Sequence, residues 1–173
     1  LTLSLARMVS PTGKVVGIDS AIKPLLLAKQ KTLKYPSLSI EWINKDLFSE
    51  DLIFHRFDGG VMAYGLRNLS DPLEGLKLIR KFLRPGAKAG ILDFNKISQK
   101  SFGAWFQKKY LRNFVVPIAS KFGLREHYAY LERSLLDFPE GHHQRELAIQ
   151  AGFKSSSYYN LAGGQMGILL LNN

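Results

Sequence analysis

The chain has 173 residues, of which 46% are hydrophobic and 22% charged, a composition typical of a folded domain with a sizeable core. The absence of cysteine excludes a disulfide framework and a thiolate metal site, and no apolar run approaches the roughly 20 residues of a membrane-spanning helix. The net charge of +10 is compatible with general solubility, or it indicates an anionic membrane surface, a nucleic acid or an acidic ligand as partner. The basic residues are dispersed, which argues against nucleic acid.

Helices and strands alternate in the first part of the sequence. Apolar residues recur at helical spacing over 1–9, and a short β-branched strand follows over 14–19. A helix over about 21–33, with Ser20 as its predicted N-cap, leads to a second strand over 40–43. This alternation predicts a parallel, doubly wound α/β sheet.

The stretch 57–71 combines a strand, a loop and the start of a helix. Its short apolar run predicts a buried strand of a parallel sheet, which breaks at Tyr64 and Gly65. The polar loop that follows contains Arg67 and Asn68. Ligands of open α/β sheets bind beyond the carboxyl ends of strands, so the loop is either an ordinary connection or one wall of a ligand site. The Arg-Asn pair favours the ligand site.

The next helix and strand have clear boundaries in the sequence. A helix over 72–83 begins after Asp71, a good N-cap, and Pro72 suits its first turn. The Arg-Pro-Gly sequence that follows predicts the end of the helix. A further strand is predicted over 87–94, with Asp93 near its end.

The segment 98–130 is rich in aromatic residues and predicts two helices inserted before the sheet resumes. These aromatic side chains either form ordinary core or surround a pocket for a large apolar substrate or a membrane contact.

A helix over 142–151, ended by a glycine, precedes two β-like runs over 156–160 and 167–171. The two runs predict an antiparallel hairpin at the sheet edge. His142 and His143 could suggest a metal, but adjacent side chains at a helix start are expected to point in different directions, and no acidic partner is close in sequence. We expect both histidines to be solvated and predict no metal site.

Asp19 and Asp46 follow two successive strands. A carboxylate after the second strand of a nucleotide-binding fold accepts hydrogen bonds from ribose hydroxyls, and a second one could accept from an adenine amino group. Each residue alone is compatible with a helix cap or a solvated loop. Their positions on successive strand ends favour a cofactor site.

The octapeptide at 64–71 resembles the signature of the UbiE/MenG C-methyltransferases, which methylate a ring carbon of prenylated quinols with S-adenosylmethionine. The resemblance extends over essentially the whole chain, through the segments 12–19, 83–88, 92–94, 151–153 and 163–167. It also includes Ser134, Phe138, Pro139 and Gly141. The segments 113–119, 122–124 and 128–131 are most similar to the cyanobacterial and plastid branch, which converts demethylphylloquinol to phylloquinol.

The resemblance implies a class I, Rossmann-like α/β methyltransferase domain over 1–173, with 98–132 as a helical substrate lid. The family's glycine-rich first motif would lie immediately before Leu1, so we expect an N-terminally truncated sequence without the central first strand and with half a cofactor site. A piece of an active enzyme is favoured over a truncated and inactive product. A targeting segment is likewise not expected within this sequence.

For the cofactor S-adenosylmethionine, the resemblance implies that Asp19 binds the ribose hydroxyls. Asp46 and the backbone of Leu47 would hold the adenine. The residues implied beside the methionine portion are Ala63, Tyr64 and Gly65.

For the substrate, the resemblance implies that Arg67 and Asn68 orient the quinol oxygens and stabilise developing phenolate charge. Arginine is a poor base, so a role in proton removal would require a relayed water. Tyr128 is a further candidate for the substrate pocket.

The implied partner is a prenylated naphthoquinol, drawn from an anionic membrane surface by a protein attached peripherally to it. The implied location is the chloroplast or the cyanobacterial cytoplasm and membrane surface. Demethylmenaquinol and a polyprenyl-benzoquinol are alternative substrates. A non-catalytic remnant that binds a partner enzyme of quinone synthesis is the alternative from another functional class.

Overall fold

The structure, a computed structural model, describes residues 1–50, 56–95, 134–135 and 137–173. The chain divides into two compact units, Leu1–Phe54 and His55–Asn173. The predicted helices over 98–130, including Tyr128, lie outside the described residues, so the predicted substrate lid stays a prediction.

The first unit contains two helices and two strands in alternation: α1 (Thr2–Val9), β1 (Val15–Ile18), α2 (Ile22–Thr32) and β2 (Ile40–Ile43). The two strands pair in parallel, with Val15 opposite Ile40 and Ile18 opposite Ile43. The helix-strand alternation predicted from the sequence is therefore confirmed. Because the strands are parallel and in register, their carboxyl ends lie side by side.

The predicted cap of α2 was wrong. The N-cap residue is Ala21, and no side chain caps this helix. Instead, Asp19 Oδ1 accepts a hydrogen bond from the backbone N–H of Ala21 at 2.8 Å. An aspartate bonded to the backbone two residues on forms a tight turn by itself. Ser20 lies within that turn, where its carbonyl accepts a hydrogen bond from Asn44 Nδ2 at 3.0 Å.

The second unit is built around a four-stranded sheet in the order β3-β4-β6-β5. Strand β4 pairs in parallel with β3 and antiparallel with β6, which pairs antiparallel with β5. The predicted C-terminal hairpin is therefore confirmed, with β5 at one sheet edge. The helices and strands of this unit are β3 (Phe57–Ala63), α3 (Pro72–Phe82), β4 (Leu83–Phe94), α4 (Gly141–Gln150), β5 (Ser155–Leu161) and β6 (Met166–Asn172).

The hydrophobic core lies between this sheet and helices α3 and α4. Alternate residues of β4 are buried, from Ala87 to Asp93, because successive side chains of a strand point to opposite faces. Leu169 of β6 and Leu76 of α3 are fully buried. The core cluster consists of Leu66, Leu76, Leu83, Ala87, Ala89, Ile91, Phe138, Ala148, Ala151, Phe153, Leu169 and Leu171.

Helix α3 begins as predicted. Asp71 Oδ1 accepts hydrogen bonds from the N–H groups of Leu73 (2.8 Å) and Glu74 (3.1 Å). These bonds satisfy two of the donors that have no partner within the helix. The helix ends at Phe82, and Leu83 already pairs with Phe57 of the neighbouring strand. Strand β4 therefore starts four residues before its predicted start at residue 87.

Strand β3 pairs in parallel with β4 as predicted, but the prediction of a buried strand was wrong. Val61 remains 47% exposed, and Ala63 is also exposed. Val61 lies opposite Gly90, which lies opposite Leu170, so these residues share the sheet face that points away from the core. Leu170 is exposed on that face although β6 is paired on both sides. An apolar run in the sequence does not show which face of its strand will be covered.

Leu169 and Leu170 offer a matched test of the core. Leu169 of β6 is fully buried, whereas Leu170 points to the opposite face and is 42% exposed. We expect Leu169→Ala to lower the free energy of unfolding by about 2–5 kcal/mol, because it removes apolar contacts and leaves a cavity. Leu170→Ala should cost less than about 1 kcal/mol. Urea denaturation measures both, and equal losses would contradict this assignment of the sheet faces.

Candidate active site

Asp19 and Asp46 lie at the carboxyl ends of the paired strands β1 and β2. The N–H of Asp19 donates to the carbonyl of Ile43 at 3.2 Å, and Asn44 Nδ2 donates to the carbonyl of Asp19 at 2.9 Å. These bonds hold the two strand ends together. Because β1 and β2 pair in parallel, both acids lie at the same edge of this two-stranded sheet.

Both carboxylates are exposed and have unused acceptor capacity. Asp19 Oδ1 bonds to Ala21, and Asp46 Oδ1 accepts from the N–H of Phe48 at 2.8 Å. Within the described part of the chain, the Oδ2 atom of each residue makes no hydrogen bond. Leu47 lies inside the turn that Asp46 closes. These carboxylates can accept hydrogen bonds from hydroxyl or amino groups of a ligand.

The loop after β3 contains a strained residue. Tyr64 has a φ of +58°, in the left-handed region that residues other than glycine rarely adopt. Its N–H donates to the carbonyl of Leu92 on β4 at 2.8 Å. Its own carbonyl accepts hydrogen bonds from Asn68 Nδ2 (2.9 Å) and Arg67 Nη1 (3.3 Å). The side chains of Arg67 and Asn68 thus bond to the backbone of the strained residue that precedes them.

Arg67 and Asn68 are bonded to each other as well. Both belong to a single 3-10 turn, Leu66–Asn68, whose first residue is almost fully buried. Arg67 Nη1 donates to Asn68 Oδ1 at 3.2 Å. The two predicted substrate-binding residues therefore act as one hydrogen-bonded unit with Ala63, Tyr64 and Gly65 immediately before them.

Asp93 is a component of this site that the sequence analysis missed. It is 3% exposed, the penultimate residue of β4. Asp93 Oδ2 accepts from the backbone N–H of Arg67 at 3.1 Å, and Oδ1 accepts from the N–H of Phe94 at 2.8 Å. Asp93 Oδ1 also lies 3.6 Å from Arg67 Nε. Its position at the end of the strand beside β3 was the signal that could have revealed it.

Burial raises the pKa of Asp93 above its ordinary value of 3.8. The hydrogen bonds from the backbone of Arg67 and Phe94, and the positive charge of Arg67, act in the opposite direction without cancelling it. Desolvation disfavours the charged form of a carboxyl group, which explains the sign. The folded protein therefore disfavours the ionised form of the Asp93 carboxyl group relative to the unfolded chain.

The guanidinium group of Arg67 lies over the aromatic ring of Phe94. Its Cζ lies 5.4 Å from the centroid of the Phe94 ring, within reach of a cation–π interaction. The rings of Tyr64 and Phe94 are 5.0 Å apart. Tyr64, which is 40% exposed, also places its hydroxyl 3.4 Å from Met166 Sδ. The loop thus combines a cation with an apolar, partly exposed surface.

The histidines at the start of α4 do not behave as predicted in two respects. The rings of His142 and His143 lie side by side, with centroids 4.1 Å apart and planes tilted by 35°, so they do not point in different directions. Glu140 is an acidic neighbour, with Oε2 3.8 Å from His142 Nδ1. Both histidines are exposed, as expected. In the ranges that the structure describes, no group of three or more potential ligands could hold a metal ion.

Comparison with known proteins decides the family. The model of the ubiE/COQ5 methyltransferase family matches residues 1–170. The chain belongs to the ubiE/COQ5 methyltransferase family. It is 43% identical to 2-phytyl-1,4-naphthoquinone methyltransferase of Nostoc punctiforme over 99% of this chain and 75% of that protein. It is 38% identical to the chloroplastic 2-phytyl-1,4-β-naphthoquinone methyltransferase of Arabidopsis thaliana, over 98% of this chain and 66% of that protein.

Solved structures agree on the fold of this methyltransferase. A SAM-dependent methyltransferase from Aquifex aeolicus has a TM-score of 0.68 at 17% identity, covering 98% of this chain and 74% of that one. A structure described as PigF with SAH has a TM-score of 0.63 at 14% identity, covering 99% of this chain and 46% of that one. The predicted class I α/β fold and the predicted enzyme class are confirmed, with S-adenosylmethionine as the methyl donor.

The raised pKa of Asp93 makes the stability of this methyltransferase depend on pH. The folded state binds the Asp93 proton more tightly than the unfolded state, so the associated stability is fully present below pH 3.8. It is lost as the pH rises through the higher, folded-state pKa. Asp93→Asn cannot ionise. Wild type should therefore lose stability as the pH rises from 3.8 through the folded-state pKa of Asp93, whereas the variant should not. Over this pH range, the unfolding free energy of Asp93→Asn should rise relative to that of wild type.

Urea denaturation at a series of pH values measures this difference. Asp58→Asn, which removes an exposed carboxylate from β3 of the same sheet, controls for the loss of one negative charge. A difference between Asp93→Asn and wild type that stays constant across the pH series would contradict the assignment.

Proposed function

We propose that the protein methylates a ring carbon of a prenylated naphthoquinol, converting demethylphylloquinol to phylloquinol in phylloquinone biosynthesis. The observation that supports this most directly is identity of about 40% to cyanobacterial and plant 2-phytyl-1,4-naphthoquinone methyltransferases across nearly the whole chain. The Tyr64–Asn68 loop, with its cation and aromatic surface, supports a substrate that combines ring oxygens with apolar groups.

The acids of the first unit suit the methyl donor. Asp19 and Asp46 each present an exposed carboxylate whose Oδ2 makes no hydrogen bond in the described ranges. Asp19 would accept from the ribose hydroxyls, and Asp46 with the backbone of Leu47 from the adenine. When bound, S-adenosylmethionine supplies a methyl group on a positively charged sulfur.

Ring methylation requires an electron-rich carbon held in line with that methyl group. The new carbon–carbon bond forms as the carbon–sulfur bond breaks, and the electron pair of the broken bond remains on sulfur. The ring carbon then loses a proton to solvent. A protein accelerates this step by holding the ring carbon, the methyl group and the sulfur in line. A cation near the quinol oxygens stabilises the phenolate charge that makes the ring carbon nucleophilic.

Arg67 is the residue best placed for that electrostatic role. Its Nη1 atom bonds within the loop, whereas Nη2 makes no hydrogen bond within the described residues. The Nη2 group therefore remains a donor for a quinol oxygen. Asn68 bonds through its amide to Arg67 and to the Tyr64 carbonyl, so its contribution is to orient the guanidinium as well as the substrate.

Phylloquinone precursors have a long apolar tail, and we propose that the protein takes its substrate from an anionic membrane surface. None of the helices in the described ranges is long and apolar enough to cross a membrane. Helix α2 exposes Leu26 and Leu27 (55% and 58%) beside the exposed Lys23 and Lys29. Apolar and basic groups together favour binding to anionic lipid. Its location would be the plastid or a cyanobacterial cell, as for the relatives.

A methyl-transfer assay tests the proposed reaction. We expect transfer of label from S-adenosylmethionine to reduced demethylphylloquinol in preference to demethylmenaquinol and a polyprenyl-benzoquinol. Arg67→Gln should lower kcat by about 10²–10³-fold, because it removes the group that stabilises developing charge. Asp19→Asn should instead weaken S-adenosylmethionine binding by about tenfold or more, the contribution of a hydrogen bond to a charged group.

Arg84→Gln is the matched control for Arg67→Gln, because Arg84 is an exposed arginine paired with Asp58 on the same sheet. It should leave turnover unchanged. Binding of S-adenosylmethionine without transfer to any quinol would refute the proposed substrate. Absence of both binding and transfer would favour the non-catalytic remnant.

Sedimentation with liposomes tests the membrane proposal. We expect the protein to sediment with vesicles containing anionic phospholipid at low salt, and to be released at high salt because the attraction between charges is screened. Vesicles of phosphatidylcholine alone are the control and should retain less protein. Failure to sediment with anionic vesicles at low salt would refute membrane binding.

A further inference from the structure

The guanidinium of Arg67 is held at the edge of the loop in an unusually buried environment. Its side chain is only 11% exposed, and Arg67 Nε is buried without a hydrogen-bond partner among the described residues. Asp93 Oδ1 lies 3.6 Å from Arg67 Nε. Arginine side chains are mostly exposed unless they are paired. The burial of Arg67 therefore depends on the carboxylate beside it.

Asp93 is rigidly placed, whereas the loop that it contacts is strained. Strand β4 is paired on both sides, and Asp93 itself lies opposite Gly167 of β6. The loop contains Tyr64 in the left-handed region, a conformation that persists only where surrounding contacts maintain it. Asp93 Oδ2 bonds to the N–H of Arg67, three residues after Tyr64. The hydrogen bond from Arg67 to Asp93 thus ties the strained loop to the end of β4.

Tyr158 of β5 lies over Gly167, the residue of β6 that is opposite Asp93. A Cβ atom on Gly167 would lie 1.8 Å from the Tyr158 hydroxyl oxygen, so only glycine at this position lets the phenol lie over β6. Burial raises the pKa of Tyr158, a hydrogen bond with Gln144 lowers it, and the charge of Asp93 raises it further. Because Gly167 is the cross-strand partner of Asp93, the phenol of Tyr158 lies on the same face of the sheet as the Asp93 carboxylate.

We propose that Asp93 is a positioning residue of this site, which maintains the strained Tyr64–Asn68 loop and orients the Arg67 guanidinium toward the quinol oxygens. The inference rests on the proposed function for the identity of the quinol. Asp93 acts through Arg67 and the loop backbone and does not itself touch substrate. Only a carboxylate can accept from both backbone N–H groups while compensating the buried cation, because an amide replaces one acceptor with a donor.

The role predicts a specific pattern of kinetic effects. Asp93→Asn should lower kcat with demethylphylloquinol by about 10²-fold, the order expected when a catalytic group is misplaced by about 1 Å. Its affinity for S-adenosylmethionine should stay at the wild-type value. In an Arg67→Lys background, Asp93→Asn should have little further effect, because residues that act as a unit are not additive.

A second readout does not require activity. Asp93 bonds to the backbone amides of Arg67 and Phe94, so hydrogen exchange at these two amides, followed by NMR, should accelerate in Asp93→Asn. Amides of the sheet core, such as that of Leu169, should remain protected and show that the variant is folded. Asp58→Asn is the matched control: its carboxylate is paired with Arg84 but is exposed, and neither kinetics nor exchange should change.

The outcomes separate the two proposals. Additive effects of Asp93→Asn and Arg67→Lys, or unchanged exchange at Arg67 and Phe94, would overturn the positioning role of Asp93. A wild-type chain that transfers no methyl group to any quinol would refute the proposed function, while the exchange measurement still decides whether Asp93 holds the loop. If Asp93→Asn does not fold, Asp93→Glu serves instead, because it keeps the charge but moves the carboxylate away from the two amides.

Discussion

The contact between Asp93 and the Tyr64–Asn68 loop is the interaction on which the candidate substrate site depends. One carboxylate, almost completely buried, accepts from two backbone N–H groups and faces the guanidinium of Arg67. A buried charge is costly unless it is paired and hydrogen-bonded. The guanidinium and the two N–H groups offset part of the cost of burying the carboxylate, while burial still raises the pKa of Asp93. Removing either Asp93 or Arg67 leaves the other charge without this partner.

The rest of the second unit explains why that carboxylate is fixed. Strand β4 is paired with β3 on one side and with β6 on the other, and its buried face packs against α3 and α4. A side chain on a central strand moves little, because its backbone is bonded on both sides. The loop is different, since it leaves an edge strand and contains a left-handed Tyr64. The rigid strand determines the conformation of the strained loop.

Much of this methyltransferase could be predicted where the signal is local. The Asp71 cap, the start of α3, the helix over residues 141–150 and the parallel pairing of β1 with β2 were all recognisable from neighbouring residues. The errors have a common cause. The exposure of β3, the early start of β4 and the proximity of the His142 and His143 rings depend on the three-dimensional surroundings of each segment, which spacing along the chain does not specify.

The sequence by itself determined the family, the order of helices and strands, and the residue types of the site, because each depends on motifs of a few consecutive residues. The tertiary structure alone decided which groups meet. Asp93 and Arg67 are 26 residues apart, and they come together only because β3 and β4 pair in parallel with one particular register. A shift of one residue would turn Asp93 to the opposite face of the sheet, away from the loop, since side chains alternate along a strand.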